Sequence, residues 1–445
     1  MEIAPEELEP LEEGAGVAHA SPAALVGTST AVAGPPMAAF QAAGAEAVAL
    51  PGVGARPLAR ARRHLSVEGR RELLWIVSVY MATRVALLLA AFIQSRFGHA
   101  PFQNELANWD GFWYRMLANH GYPAYVSYGQ TTLGFFPLFP LTIWPVEHVL
   151  ELIYPQQQLA STLAGALVSG AGGLITTIFV HRLAEGWWDR EVARRAVILF
   201  VLFPGSVVFS MVYSEGVLLP LVAGCLWALE RRRWLLAGVL AAFGTAVQPV
   251  GLALGPVCLL AALLEVRRIG LRRQSLRAFV APMLSVTGAA AFMGYLWVHT
   301  GSPFANYLAQ HHGWQESTSI FALWHDVVKL SHQISFSHFN EPTIDMNLPV
   351  GLIGALFLTA LLVLLWRARR QVSPPAIVWT LAISFFGYTS SMVPPNPRML
   401  ITAFPALVCL ARYTRGAWFT AIAWVNGVLL IALSLLTFFG LTLRP

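Results

Sequence analysis

Charge is what this chain has least of. Of its 445 residues only 12% are Asp, Glu, Lys or Arg, against about 25% in an ordinary soluble domain. With 56% of the residues hydrophobic, that shortage excludes a chain that covers its apolar surface with charged side chains. Cysteine is also scarce. Cys225, Cys258 and Cys409 each sit inside an apolar run, so no disulfide framework and no metal-binding spacing is expected. No basic stretch precedes an apolar core at the start of the chain, which argues against a signal peptide. There is no P-loop, and no strand leads into a GxGxxG turn, so a cytosolic nucleotide-sugar site is not expected. His120, His311, His312, His332 and His338 show no HxxEH or other ligand spacing and read as surface residues, with no metal site. The sequence pI near 9.5 would suggest nucleic acid for a soluble protein. Here the basic residues mark the ends of helices, and no nucleic-acid partner is expected.

Long apolar runs are abundant. Residues 73–93, 352–366 and 418–440 are three of them, and a bilayer core takes roughly 20 apolar residues in a helix. The expected fold class is all-α, a polytopic helical membrane protein. Residues 1–55 open with Glu2, Glu6, Glu7, Glu9, Glu12 and Glu13, turn Ala/Gly/Pro-rich, and read as a disordered cytoplasmic tail. Residues 56–71 form a basic juxtamembrane segment, and 72–445 form the transmembrane domain.

Basic clusters at 56–71, 181–195, 231–233, 267–277, 367–370 and 412–415 should all face the cytoplasm. One arrangement of about eleven spans achieves this: 73–93, 157–180, 196–212, 214–230, two short spans within 234–266, then 278–298, 347–366, 376–392, 398–411 and 417–440. Gln248-Pro249 marks the turn between the two short spans, because proline breaks the helical ladder. Segments 94–156 and 299–346 are then external. Residues 133–150 are apolar but proline-rich. As a further span they would invert every later loop, so they read as a re-entrant or interfacial element.

Under this topology the polar residues without a positive-inside role collect on the outer side. Trp109, Phe112, Trp113 and Leu117 have near-helical spacing, which predicts a helix lying on the lipid headgroups with Asp110 on or beside it. Asp110 reads either as a catalytic group near headgroup phosphates or as a solvated acid at a helix start. Ser214 reads as an N-cap with Glu215 in the first turn, or the pair lines a site wall. Arg398 follows Pro394-Pro395-Asn396-Pro397 at an external helix start, where free backbone N–H groups could also meet a phosphate. Arg84 lies inside the first span, where a charge is costly; it could pair with a carboxylate, bind a phosphate or serve structure alone.

The series Trp109-Asp110-Gly111-Phe112-Trp113-Tyr114, Gly121-Tyr122-Pro123 and Phe135-Phe136-Pro137-Leu138-Phe139-Pro140 resembles the PIG-V-like mannosyltransferases of the GT-C glycosyltransferase superfamily. So do Tyr213-Ser214-Glu215-Gly216, Arg233-Trp234-Leu235-Leu236-Ala237-Gly238, Pro249-Val250-Gly251 and Asn396-Pro397-Arg398-Met399-Leu400. The resemblance covers about residues 72–440. It implies an inverting glycosyltransferase with a polyprenyl-phosphate-linked sugar, usually mannose, as donor. It implies an acidic general base in the first external segment, which is Asp110 here. Trp109, Trp113, Tyr114, Arg84, Ser214, Glu215, Gln248 and Arg398 are the expected substrate-binding residues. Membrane lipids, the lipid-linked donor and a glycan, lipid or protein acceptor are the expected partners. The expected location is a bacterial plasma membrane with the site on its outer face. Gln248-Pro249 stands where the family often has Arg-Pro, which could remove a cationic donor contact. The aspartate is single, which weakens any case for a metal; no cofactor is chemically required, because the phosphate is already a good leaving group. The rival from another class is a lipid or sugar transporter or flippase, but no internal repeat of the kind common in transporters is found.

Overall fold

The computed structural model describes residues 67–97, 101–334, 345–392 and 394–438. The expected tail 1–55, residues 56–66 of the basic segment, His338 and the end of the last expected span lie outside the described residues. All described residues fall within the unit Arg62–Pro445.

Helices form wherever the sequence carries an apolar run; several start at proline, while Pro145 and Pro220 lie inside helices. Among the described residues six are long and apolar enough to cross a membrane: Val67–Phe97, Gln157–Trp187, Pro249–Ile269, Arg273–Thr300, Asn347–Ala368 and Gly416–Phe438. Their outer faces are greasy: Phe92, Leu356, Val363, Trp424 and Val428 are each more than half exposed. In the last of these helices only 22% of the apolar window is buried inside the protein. Lipid is the solvent that fits such faces, and the chain is an integral membrane protein.

Among the described residues, fewer helices than the eleven expected spans are long enough to cross a membrane alone. Each expected segment is helical, but several helices are too short to cross alone. Trp234–Thr245 has 12 residues, Glu215–Glu230 and Pro374–Thr389 have 16 each, and Phe404–Tyr413 has 10. At about 1.5 Å per residue, 16 residues reach roughly 24 Å, short of a core about 30 Å thick. The third expected span bends by 72° between Arg190–Leu202 and the tight turn Pro204–Ser210; counting that pair as one span gives seven. The cause is legible afterwards: Pro204-Gly205, Pro249, Pro397 and Pro405 interrupt the runs. The 133–150 element is the helix Leu138–Glu151, 14 residues long with Pro145 inside it.

Two close contacts set the middle of the bundle. A Cβ on Gly172 would lie 1.5 Å from the Gly216 carbonyl oxygen, so Gln157–Trp187 and Glu215–Glu230 touch backbone to backbone. A Cβ on Gly205 would lie 2.0 Å from the Pro397 carbonyl oxygen, so the bend at Pro204–Ser210 rests directly on the short helix Pro397–Thr402. At another part of the bundle, Glu72 accepts two hydrogen bonds from Arg194, at 2.9 and 2.7 Å, and meets His181 Nε2 at 3.1 Å. Residues first read as topology signals thus also lock three helices together.

The two long segments expected on the outer side pack against one another. Asn306 Nδ2 donates to the Leu133 carbonyl at 2.6 Å, Gln310 Nε2 donates to the Gly134 carbonyl, and His299 Nε2 meets the Tyr122 carbonyl at 3.1 Å. Leu138 N donates to the Ala246 carbonyl at 3.1 Å, which ties the Leu138–Glu151 helix to the end of Trp234–Thr245.

Candidate active site

Three segments far apart in sequence deliver three charges to one place. Asp110 is the first residue of the helix Asp110–His120. Glu215 opens Glu215–Glu230, one residue before the Gly216 contact that fixes that helix. Arg398 stands in Pro397–Thr402, directly beside the Gly205 contact. Arg398 Nε donates to Glu215 Oε1 at 2.6 Å, and its Nη1 donates to Asp110 Oδ2. Its guanidinium lies 4.8 Å from the centre of the Tyr213 ring. Glu215 is 3% exposed at its side chain, Asp110 28% and Arg398 21%. The site is therefore buried on the Glu215 side and open on the Asp110 side. Among the described residues, Arg398 Nη2 and Asp110 Oδ1 take no hydrogen bond. A two-carboxylate clamp on one guanidinium leaves each outer partner an edge to offer a ligand.

A second rail of polar contacts runs beside the first. Tyr114 donates to Ser214 Oγ at 2.8 Å, and Ser214 Oγ donates to Gln248 Oε1 at 3.3 Å. Ser214 occupies the N-cap position but makes no capping bond, so its hydroxyl serves this cross-chain rail instead of the expected cap. Tyr114 is buried between the Phe135 and Phe139 rings, and burial, with Asp110 next, pushes its pKa above the ordinary tyrosine value. Asn396 Oδ1 accepts from Met399 N at 2.9 Å, so part of the helix N-terminus expected to be open to phosphate is capped by the chain itself.

Trp109, immediately before Asp110, has φ of 57°, a left-handed backbone that a bulky residue rarely adopts. Such a conformation costs on the order of 1–3 kcal/mol and persists only where its surroundings impose it. The expected interfacial stripe is partly corrected. Trp109 and Phe112 are exposed, but Leu117 is buried with Gly111 and Tyr114 against the protein. Trp113 stacks on Phe135 with centroids 6.1 Å apart and meets Trp314 edge-on at 5.1 Å. The helix is amphipathic, but its inner face has a protein partner.

Arg84 is not brought to the charge cluster. It is 4% exposed, and it donates to the carbonyls of Ser206 and Val201 and to the hydroxyls of Ser206 and Ser210. These are the atoms left over by the bend after Leu202, so Arg84 completes a broken helix and stands beneath the turn that supports Arg398.

The family model for PIG-V mannosyltransferases matches residues 80–307, just over half of the chain. The chain belongs to the PIG-V mannosyltransferase family. GPI alpha-1,6-mannosyltransferase 2 of Rattus norvegicus is 31% identical over 155 residues, 33% of this chain and 30% of that protein. Its counterpart in Cricetulus griseus is 32% identical over 155 residues, 33% and 29% of the two chains. The similarity thus spans under a third of the length of these relatives. Among solved structures, ArnT from Cupriavidus metallidurans bound to undecaprenyl phosphate aligns with a TM-score of 0.49 and 16% identity, covering 78% of this chain and 62% of that one. The Archaeoglobus fulgidus oligosaccharyltransferase AglB, in complex with an inhibitory peptide and a dolichol-phosphate, aligns at 0.41 and 12%, covering 83% and 56%.

The PIG-V match contains Asp110, Ser214, Glu215 and Gln248, but ends before Arg398. Two neighbours of the cluster escaped the reading of the sequence. Trp314 packs on Trp113 and Phe135. Two residues later stands Glu316, an exposed residue within electrostatic range of Asp110 and Arg398. Thr318 bridges to Ser390, and Ser319 N donates to the Thr389 carbonyl at 2.7 Å. Residues 314–319 therefore run as a strap from the Asp110 helix to the segment that leads into Arg398. A lone Glu in a polar loop has no spacing that would reveal this.

Proposed function

We propose that this chain transfers a mannosyl group from a polyprenyl-phosphate-linked donor to a hydroxyl of a glycan, lipid or protein acceptor, with inversion at the anomeric carbon. The reaction is assigned to the non-cytoplasmic face of a bacterial plasma membrane. The observation that carries the reading is the Arg398 clamp, an open aspartate and a buried glutamate from distant segments sharing one guanidinium. Family membership supplies the sugar and the reaction class.

In the step itself the acceptor oxygen bonds to the anomeric carbon as the carbon–oxygen bond to the phosphate breaks, and that electron pair leaves with the phosphate. The acceptor proton passes to the Asp110 carboxylate. Arg398 stabilises the leaving phosphate, whose arrival competes with Asp110 for the guanidinium and releases the carboxylate for the proton. Glu215, buried and bonded to Nε, keeps Arg398 in place throughout. Tyr114, Ser214 and Gln248 hold the Asp110 helix against the Glu215 helix, and Trp109 and Trp113 form the apolar rim on which a lipid tail would lie.

Asp110→Asn keeps the shape and removes the base, and should lower transfer by about 10²–10⁴-fold without loss of membrane insertion. Product analysis by NMR should find the new glycosidic bond inverted relative to the donor. A fully active Asp110→Asn protein, or a retained configuration, would remove the assignment.

A further inference from the structure

A cavity of about 140 Å³ lies between the helix Ala322–Ile334 and the segments 345–350 and 392–396, outside the machinery described so far. Its polar wall is made of Asp326, Lys329, Gln333, Asp345, Asn347 and Asn396. Asp326, Lys329 and Gln333 share one face of the helix Ala322–Ile334. Asp326 is 3% exposed, and among the described residues its carboxyl takes no hydrogen bond. Its charged neighbours are Lys329 and His325, and its oxygens can accept hydrogen bonds from a ligand in the space they face. The opposite wall is fixed. Asp345 N donates to Gln333 Oε1 at 3.1 Å, and Asp345 Oδ1 accepts from Asn347 N at 3.0 Å and from Asn347 Nδ2 at 2.6 Å. Asn396, in its wall, stands two residues before Arg398 in the chain.

The chemistry of the wall selects the ligand. Two carboxylates against one ammonium disfavour a phosphate, and Lys329 opposes a bare metal cation. Carboxylates accept, the ammonium donates and the amides do both, which matches a ring of hydroxyls that each donate and accept. A site of this volume takes several waters or one small polar ring. We propose that this cavity holds a sugar ring of the acceptor, with Asp326 accepting hydrogen bonds from its hydroxyls. The assignment of that ring to the acceptor rests on the transferase reading.

The test is saturation-transfer NMR on the full-length protein in nanodiscs, with methyl α-mannoside as probe and acceptor KM measured alongside. Wild type should bind the probe weakly. Asp326→Ala should lose about tenfold or more in affinity, in line with a hydrogen bond to a charged group. Asp326→Asn, which keeps an accepting oxygen, should lose less. Lys329→Met, at an exposed position, gives the same readout should Asp326→Ala not accumulate. Trp424→Ala, on the outer face of the last helix, should leave the signal unchanged. Undiminished binding in both Asp326→Ala and Lys329→Met, or none by wild type at tens of millimolar, would overturn the proposal. Probe binding that depends on Asp326 in a protein that transfers nothing would keep the subsite and remove the transferase reading. Transfer with an unchanged acceptor KM in Asp326→Ala would do the reverse.

Discussion

Arg398 meets three partners at once, two carboxylates and the Tyr213 ring, and this crowding has a cost if it is undone. Removing one member of a buried ion pair leaves the other charged and unpaired, typically at about 3–5 kcal/mol. Arg398→Met should therefore destabilise the protein by that order in a thermal or denaturant melt, because Glu215 stays buried. Adding Glu215→Gln should recover much of the loss; a double variant no more stable than the single would contradict the clamp. Asp110, Glu215 and Arg398 were legible as candidates because each is a polar residue with no topological task in an apolar chain. Arg84 was legible as important, with a structural role as one of three open readings, but the sequence did not choose among them. Its role depends on carbonyls freed by a bend more than a hundred residues away, and nothing local records that. Glu316 and Asp326 were invisible as site residues for a related reason: what singles them out is proximity across the fold.

At the scale of elements, the site depends on short pieces meeting at small residues. Gly205→Ala would press a methyl group onto the Pro397 carbonyl, and overpacking of this kind costs about 1–3 kcal/mol. Transfer should fall with it, because Arg398 is the next residue; a melt and a rate measured on the same preparation check this. The helix Asp110–His120 has a pH-sensitive support. Glu147, 1% exposed, lies near Arg115 and Asn119, and burial first and Glu151 second raise its pKa from 4.5 to about 7. Folding thus favours the protonated acid. The cost of charging Glu147 is absent below pH 4.5, grows between 4.5 and 7, and is complete above 7. Glu147→Gln should raise the melting temperature relative to wild type at pH 8 and much less at pH 5; equal differences at both would refute it. Which segments are helical followed from apolar runs and proline positions. Helix length did not, because proline marks a break without saying whether the two pieces stay collinear, as the 72° bend after Leu202 shows.

For the whole molecule, the account needs the two long segments on one side of the membrane and the basic clusters on the other. The native cysteines Cys225, Cys258 and Cys409 are buried, so an introduced cysteine can be read cleanly. Ser317→Cys, in the strap, should react with an impermeant maleimide added outside intact cells. Arg267→Cys, exposed at the end of Pro249–Ile269, should react only after the membrane is opened. The reverse pattern would put the charge cluster in the cytoplasm. The central claim is sugar transfer at Asp110, and the most direct test is turnover of polyprenyl-phosphate mannose by purified protein in nanodiscs across a panel of hydroxyl acceptors, wild type beside Asp110→Asn. The account predicts mannosylated product and free polyprenyl phosphate from wild type, with both lost in the variant. Equal turnover by the two proteins, or no turnover by wild type with any acceptor, would contradict it.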